Sequence, residues 1–491
     1  MSERAVDVAV VGAGPNGLAA AVTMARAGLS VRVYERNSTI GGGSRSAELT
    51  LPGFLHDVCS AVHPMALASG FFRQFGLARR MGFVVPEVSY GHPLDGGRAG
   101  IAFRDLDRTV DALGVDGAAW RSLMEPLVQN VDEVAQFAGS ALLRIPAHPI
   151  TATRFGLRSL EQGTPLWNLR FRGEEAPAML TGVAAHSIRP MPSPSTAGAA
   201  LSLGAYAHGR GWPVPIGGSQ SIVDALAADL LAHGGEIETD ALITDLDQVR
   251  PARAVLLDVS ARALSALAGD RLPARYRTAL RRFRYGNAAA KVDFALSGPV
   301  PWTNDLLRQA GTVHVGGSRA AIAASERTVA SGRHSHDPYV LVAQPSYFDA
   351  TRAPAGSHVL WAYTHVPRDS DVDQTEAVTR QIERFAPGFR DLVLASSSRT
   401  AVDLENYDPN YVGGDIAAGS ASLWQLAARP TLSLNPWATP ASGVYLCSSS
   451  TPPGPGVHGL AGWYAARRAL AAEFGITTPP SLSPEQPPSP V

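Results

Sequence analysis

A glycine-rich segment close to the N-terminus has residue types and spacing that suit one kind of chemistry, the binding of a pyrophosphate. The pattern G-x-G-x-x-G is formed by Gly12, Ala13, Gly14, Pro15, Asn16 and Gly17. In this pattern the first glycine permits a tight turn, the second lets a pyrophosphate approach the backbone, and the third lets a helix pack on a strand. Glu35 follows about 20 residues later, where a carboxylate can accept hydrogen bonds from ribose hydroxyls. The segment therefore predicts a dinucleotide-binding site.

The elements needed to position these residues are a strand, a helix and a second strand. Apolar patterns predict them over residues 5–12, 17–27 and 31–35. A helix that begins at the glycines presents free N–H groups and a partial positive charge to the pyrophosphate. The alternatives are a chance glycine-rich turn and a signal peptide. The second fits poorly because glycines and charged residues interrupt the apolar run.

Patterns elsewhere in the chain predict further elements in two groups. Helical patterns occupy residues 104–144, 221–232 and 460–474. Strands are expected near residues 236–239, 242–246, 254–259 and 444–448, whereas 288–296 and 339–343 look like strands of a different sheet. The proline-rich residues 477–491 are expected to be disordered or extended.

The loop after the second strand separates two classes of dinucleotide. Residues 35–46 resemble the second fingerprint of the phytoene-desaturase and amine-oxidase group of flavoproteins. In that family a Gly-Gly pair passes beside the FAD pyrophosphate, and here the pair is Gly41-Gly42. Gly43 stands where many members have arginine, and Arg45 or Arg36 could supply the missing charge. The resemblance implies FAD rather than NAD; a flexible surface loop is the alternative.

A second G-x-G-x-x-G, residues 454–459, lies between an expected strand and an expected helix. Too little chain follows it for another strand–helix–strand unit, so we do not expect a second dinucleotide site. Residues 444–462 instead resemble the C-terminal flavin segment of the same family, whose loop runs along the isoalloxazine ring. A helix N-terminus there would stabilise the negative charge of reduced flavin. The alternative is an ordinary strand–turn–helix.

The resemblance extends over nearly the whole chain, through residues 212–220 and 410–415, and is strongest to phytoene-dehydrogenase-like oxidoreductases. It implies an α/β fold with a three-layer Rossmann-like FAD-binding domain, built on a parallel sheet, and a discontinuous α+β substrate domain. The expected boundaries are 1–68, 213–280 and 428–476 for the FAD-binding domain, 69–212 and 281–427 for the substrate domain, and 477–491 for a disordered proline-rich tail.

The motifs and the resemblance together give the candidate site residues. The expected FAD contacts are Gly12, Ala13, Gly14, Pro15, Asn16, Gly17, Glu35, Arg36, Gly41, Gly42, Gly43, Ser44, Arg45, Val62, Ile243, Ser449, Gly456, Val457 and His458. Lys291 is the catalytic candidate, because its strand resembles the amine-oxidase strand whose lysine reaches flavin N5 through a water. The alternative is a strand lysine that pairs with a carboxylate or faces solvent.

Other polar residues carry weaker signals. Six histidines could line a pocket, although a histidine is more often a hydrogen-bonded structural residue: His56, His63, His186, His314, His365 and His458. Asp415 follows two glycines and suits either a turn or a pocket. No metal-ligand spacing occurs, and the two cysteines are far apart, so neither a metal site nor a dithiol centre is expected.

Composition limits the partners. The net charge is −1 and charged residues make up 17% of the chain, so a nucleic-acid partner is not expected. The rarity of cysteine fits a reducing, cytoplasmic compartment. Apolar residues in Ala141–Ile145 lie near Arg154 and could touch a membrane, but a buried helix end is the preferred interpretation.

The implied function is that of an FAD-dependent oxidoreductase acting on an unidentified, apolar small molecule. A hydride would pass from a C–C unit (desaturation) or a C–N unit to flavin N5, with desaturation preferred and amine oxidation second. Oxygen, a quinone or another carrier would accept the electrons. Two alternatives stay open: an FAD-binding protein without turnover, and an NAD(P)-dependent dehydrogenase.

Overall fold

The computed structural model describes residues 6–249 and 251–484. The strands, numbered along the chain, are β1 Val8–Val11, β2 Val31–Tyr34, β3 Ser46–Glu48, β4 Leu55–Asp57, β5 Phe83–Val84, β6 Val88–Pro93, β7 Ala99–Phe103, β8 Val214–Pro215, β9 Glu236–Glu238, β10 Ala254–Leu257, β11 Ala288–Leu296, β12 Ala310–Val315, β13 Val340–Ala343, β14 His358–Val366, β15 Val393–Arg399 and β16 Val444–Leu446. The α-helices are α1 Pro15–Ala25, α2 Gly70–Phe75, α3 Leu106–Ala112, α4 Gly117–Val128, α5 Val131–Ala138, α6 Pro149–Gln162, α7 Glu175–Ala184, α8 Pro194–Gly209, α9 Gln220–Ala232, α10 Ala261–Ala268, α11 Ala274–Arg281, α12 Arg319–Ala330, α13 Pro345–Phe348, α14 Thr375–Phe385, α15 Ala401–Tyr407, α16 Leu423–Ala427 and α17 Leu460–Phe474.

Five parallel strands form the sheet that carries the N-terminal glycine motif, in the order β16-β10-β1-β2-β9. The strands β1, β10 and β16 are buried along their whole length, as expected when helices cover both faces of a parallel sheet. Helices α1, α9 and α17 share one core cluster with this sheet, and α10 shares another with its opposite face. The result is a three-layer unit.

Close contact between α1 and α17 depends on small residues. A Cβ atom at Gly462 would lie 1.8 Å from the carbonyl oxygen of Asn16, so only glycine permits this approach. This packing brings the two glycine motifs together, because α1 follows the N-terminal motif and α17 follows the C-terminal one.

A second sheet has seven strands in the order β15-β11-β14-β13-β12-β6-β7. It is mixed: β12 and β6 are parallel, and the other neighbouring pairs are antiparallel. Its apolar residues pack against α14 in one cluster, and against α4, α7 and α8 in another. The second sheet and these helices form a second part of the molecule, separate from the sheet that carries the N-terminal glycine motif.

The predicted fold class is confirmed, and most predicted elements are present. The strand over 288–296 and the helix over 460–474 have the predicted bounds. The strand predicted near 242–246 is wrong, because the side chain of Gln248 accepts the backbone N–H groups of Thr244 and Asp245 and holds a turn there. The helical pattern over 104–144 is divided among α3, α4 and α5.

Two surface segments differ from expectation. Residues 477–484 form neither helix nor strand, but Leu482 is buried in the core, and Arg26 donates to the carbonyl oxygens of Ser481 and Ser483. This part of the predicted disordered tail is therefore anchored; residues 485–491, like residues 1–5, lie outside the described residues. Ala141–Ile145 is not a buried helix end, since it follows α5 as a loop in which Ile145 is 93% exposed.

The predicted domain boundaries stay a prediction. The strands of the five-stranded sheet lie in the three segments predicted for the FAD-binding domain, and those of the seven-stranded sheet lie in the two segments predicted for the substrate domain. In the described ranges, no helix is long and apolar enough to cross a membrane.

Candidate functional site

A cavity of about 1090 Å³ extends from the N-terminal glycine turn to the seven-stranded sheet. Fifteen of the nineteen expected FAD contacts line it: Gly12, Gly14, Pro15, Asn16, Glu35, Arg36, Gly42, Gly43, Ser44, Arg45, Val62, Ile243, Ser449, Gly456 and Val457. The chain therefore brings together segments that are hundreds of residues apart in sequence. We call the part around the glycine turn and Glu35 the nucleotide end.

Two glycine loops face each other at the nucleotide end. The loop at Gly41 is fixed to the first turn, because its N–H donates to the carbonyl oxygen of Ala13 at 2.9 Å. A Cβ atom at Gly42 would lie 3.3 Å from the Cα atom of Gly14, and Gly42 has a positive φ of 52°. A side chain at this position would fill the cradle, so the two loops fit a group that contacts backbone on both sides.

Three expected contacts shape this cradle without lining it. Ala13 and Gly41 hold the loops together, and Gly17 lets α1 approach β1, since a Cβ atom there would lie 2.1 Å from the carbonyl oxygen of Gly12. Their contact with the cofactor stays a prediction.

Glu35 is oriented by backbone donors. Its Oε2 accepts the N–H of Ala13 at 3.1 Å, and its Oε1 accepts the N–H of Asn37 at 2.9 Å. The Asn37 side chain and Arg45 also donate to Oε1, so Oε2, which has one donor, is the oxygen that can still accept from a hydroxyl in the cavity. Arg45 lies 3.3 Å from Glu35 Oε1 and also donates to the Thr39 carbonyl oxygen at 2.7 Å. Arg45 is buried and Arg36 is exposed at the cavity edge, and both line the cavity.

The C-terminal loop reaches the same cavity through Ser449, Gly456 and Val457. Arg429, which sequence reasoning missed, fixes this loop. Its guanidinium is fully buried and donates to the carbonyl oxygen of Ser449 at 2.7 Å and to that of Ala417 at 2.6 Å. Burial lowers the Arg429 pKa to about 10. No motif surrounds Arg429, so only the folded structure reveals its role.

His458 does not line the cavity, contrary to expectation. Both ring nitrogens are used locally: Nε2 lies 3.1 Å from the carbonyl oxygen of Gly454, and Nδ1 accepts the N–H of Leu460 at 3.0 Å. Burial lowers the His458 pKa to about 4, which agrees with a neutral ring that stabilises the turn before α17.

Lys291 is also absent from the cavity lining. It is buried on β11 and forms an ion pair with Asp293, and Asp293 Oδ1 lies 3.5 Å from His56 Nδ1. Burial lowers the Lys291 pKa, against the raising effect of Asp293. Nζ is 5.6 Å from the ring of Trp361, which does line the cavity. The carboxylate-paired alternative describes this geometry, while a role beside flavin N5 stays a prediction.

Two of the six histidines line the cavity, His63 and His186. His63 Nε2 lies 2.7 Å from Ser219 Oγ, and His186 Nε2 lies 2.9 Å from His314 Nε2. Burial lowers the pKa of His186 to about 3, so its ring is neutral at ordinary pH. Asp415 is a turn residue, because it accepts the N–H groups of Ala417 and Gly419 in its own loop, together with that of Gly286 before β11.

The end of the cavity away from the glycine turn is apolar, and we call it the chamber. Helices α5, α6 and α8, the loop after α8 and the seven-stranded sheet contribute its apolar residues: Phe137, Phe155, Leu160, Leu203, Tyr206, Trp212, Leu341, Trp361 and Tyr363. The charged residues of the lining are Glu35, Arg36, Arg45, Asp258 and Asp408, which lie with the nucleotide-end loops. Within the described ranges, no group of three or more His, Cys, Asp or Glu side chains is placed to hold a metal ion.

This combination of a Rossmann-type sheet, a glycine cradle and an apolar chamber under a mixed sheet is that of a Rossmann-like dinucleotide-binding fold joined to a second, chamber-forming part. A family model described as an NAD(P)-binding Rossmann-like domain matches residues 10–75. Mouse pyridine nucleotide-disulfide oxidoreductase domain-containing protein 2 is 26% identical, with 94% of this chain and 92% of the mouse protein aligned.

Two solved structures share the fold. A putrescine oxidase, solved with putrescine bound, has a TM-score of 0.58 at 17% identity and covers 96% of this chain and 99% of its own. Cyclohexylamine oxidase from Brevibacterium oxydans has a TM-score of 0.55 at 16% identity, with the same two coverages of 96% and 99%. The chain therefore has the fold of these oxidases, and residues 10–75 give it a Rossmann-like nucleotide-binding domain.

Proposed function

We propose that this protein is an FAD-dependent oxidoreductase that desaturates an apolar small molecule. The observation that carries the proposal is the continuity of one cavity from a dinucleotide cradle to an uncharged, aromatic chamber. FAD, when bound, supplies a hydride acceptor at its N5 atom. The protein's task is then to position a substrate C–H bond and to exclude water.

The residues present fit FAD at three places. The facing loops at Gly14 and Gly42 suit a pyrophosphate, because neither carries a side chain that would fill the space. Glu35, already oriented by two backbone donors, would accept from the ribose. The C-terminal loop at Gly456 would hold the ring end.

The chamber supports C–C over C–N oxidation. An ammonium group buried without a carboxylate partner costs several kcal/mol, in the range of about 3–5 for a broken buried pair. The charged lining residues belong to the nucleotide end, so the chamber offers a charged amine no counter-ion. Amine oxidation stays the second candidate, favoured by the fold shared with putrescine and cyclohexylamine oxidases, and it would require an amine that enters neutral.

A C=C bond forms only if a proton leaves the carbon next to the one that loses hydride. His186 would accept this proton, because it lines the chamber with a neutral ring; burial makes it a weak base, which suffices because loss of hydride makes the neighbouring C–H strongly acidic. The Nε2 atom of His314, 2.9 Å away, fixes the orientation of the His186 ring. The electron pair of the broken C–H bond then forms the second C–C bond.

The first test is the absorption spectrum of the purified protein, followed by release and identification of the bound cofactor. Flavin bands with FAD released on denaturation are expected. A colourless protein that does not bind added FAD would overturn the proposal and favour a nicotinamide dinucleotide.

Anaerobic mixing with matched hydrocarbons and amines tests the reaction. We expect flavin bleaching with unsaturated or saturated apolar chains and not with diamines. Bound FAD that no compound reduces would instead favour a protein without turnover. Reoxidation by oxygen or by a quinone, followed at the same wavelength, then identifies the electron acceptor.

A further inference from the structure

Asp258 occupies an unusual place for a carboxyl group. It directly follows β10, at the edge of the five-stranded sheet where the glycine turn also lies, and it lines the cavity. Its Oδ2 accepts the N–H of Gly17 at 2.8 Å. A Cβ atom at Gly14 would lie 2.8 Å from the same oxygen. The carboxyl group thus lies beside the N-terminus of α1 and borders the place that the glycine motif prepares for a pyrophosphate.

An ionised carboxylate beside this place would repel a pyrophosphate, because both are negatively charged. A helix N-terminus carries only about half a positive charge, which cannot compensate a carboxylate and a pyrophosphate together. Glu35 is compensated by Arg45, but within the described residues no cation pairs with Asp258. A bound pyrophosphate therefore requires that Asp258 lose its charge.

The groups that face Asp258 also disfavour its charged form. Glu35 approaches from the end of β2, Asp408 from the loop after α15, and Cys447 from the end of β16. Burial raises the Asp258 pKa to about 7, the charges of Asp408 and Glu35 act in the same direction, and the Gly17 N–H acts against them. Near neutral pH the carboxyl group is therefore already close to its point of half-protonation.

We propose that FAD binds with uptake of one proton at Asp258, whose neutral carboxyl group then donates its O–H to a pyrophosphate oxygen. This inference rests on the proposed function, because it takes FAD as the ligand. Asp258 is a positioning residue for the cofactor, and the same proton makes cofactor occupancy sensitive to pH.

The direction of the pH effect follows from linkage. The pyrophosphate is anionic, so its presence raises the Asp258 pKa further in the complex. Between the two pKa values the free protein is ionised and the complex is protonated, so each pH unit costs about a factor of ten in affinity. FAD affinity is therefore constant below neutral pH and falls above it.

Titration of the apoprotein with FAD between about pH 6 and 9, followed by flavin fluorescence, measures this dependence. We expect the dissociation constant to rise about tenfold from pH 7.5 to 8.5. Calorimetry in two buffers of different ionisation enthalpy should show uptake of close to one proton per FAD at pH 8. This measurement uses the unaltered protein and so does not depend on any variant folding.

Two variants assign the proton. Asp258→Asn should bind FAD with an affinity that is independent of pH, and more tightly than the unaltered protein at pH 8.5. Asp408→Asn removes another cavity carboxyl and should keep the tenfold slope, shifted slightly because one neighbouring charge is gone. FAD affinity that does not vary with pH, or a slope that persists in Asp258→Asn, would overturn the inference. Failure to bind FAD at every pH would instead reject the proposed function itself.

Discussion

The nucleotide end and the chamber meet in one cavity but use different parts of the chain. At the nucleotide end the decisive groups are backbone atoms and glycines, such as Gly14 and Gly42, which must lack side chains for the loops to face each other. In the chamber the decisive groups are large side chains on a sheet and three helices. Backbone requirements restrict the residue type at a position, whereas apolar packing accepts many combinations.

The sharpest test of this difference is a pair of glycine substitutions. Gly17→Ala places a Cβ atom 2.1 Å from the Gly12 carbonyl oxygen, so β1 and α1 must separate. Gly156→Ala lies in the chamber wall on α6, where nothing is within 4 Å of the added atom. We expect Gly17→Ala to lose about 4 kcal/mol or more of unfolding free energy. We expect Gly156→Ala to be neutral or to gain up to about 1 kcal/mol in chemical denaturation.

Equal stability of the two variants would contradict the idea that backbone geometry restricts the residue type at the nucleotide end more than in the chamber wall. Retention of cofactor, measured by absorbance after gel filtration, is the companion measurement. Gly156→Ala should keep it in full.

The same difference explains what the sequence could predict. Gly12, Gly14, Gly17 and Glu35 were identified because a turn, a close approach and a strand end each demand one residue type. Asp258 was missed although its signal was present: an acid at the carboxyl end of a parallel strand beside a glycine turn. His186 had no such signal, because its function depends on α7 and β12 bringing it to His314 across the fold.

Lys291 shows a contact that the strand pattern itself contains. Residues two apart on a strand share a face, so Asp293 was the natural partner of Lys291. The strand over 242–246 was predicted from its apolar residues, but the Gln248 side chain accepts two backbone N–H groups there and holds a turn instead. Such contacts between nearby polar groups compete with sheet pairing and cannot be read from periodicity alone.

Lys291→Met tests whether a buried charge away from the cavity lining serves structure only. Loss of the cation leaves Asp293 buried without its ion-pair partner, and we expect a loss of about 3 kcal/mol in unfolding free energy. The double variant Lys291→Met with Asp293→Leu should recover most of it. Flavin reduction measured in this double variant separates the two roles: an unchanged rate means a structural pair, and a much slower rate restores the lysine to the reaction.

His186→Ala tests whether the chamber contributes chemistry as well as shape. Removal of a positioned proton acceptor commonly costs about 100-fold in rate. We expect that loss in anaerobic flavin reduction, with FAD affinity unchanged because His186 lies at the chamber end. His314→Gln is the matched control, since it keeps His186 but alters its fixed orientation, and its effect should be smaller. An unchanged rate in His186→Ala would mean that the chamber binds the substrate through apolar contacts and that His186 takes no part in the proton transfer.

Arg429→Lys examines the junction between the two ends. The guanidinium contacts three carbonyl oxygens, of Ser449, Ala417 and Gly419, in different directions. An ammonium group keeps the charge but lacks this planar, forked geometry, so the C-terminal loop loses part of its support. We expect a roughly tenfold loss of FAD affinity, about 1.4 kcal/mol, while the rate of flavin reduction at saturation changes little. A loss of rate without a loss of affinity would mean that this loop belongs to the chamber rather than to the cofactor cradle.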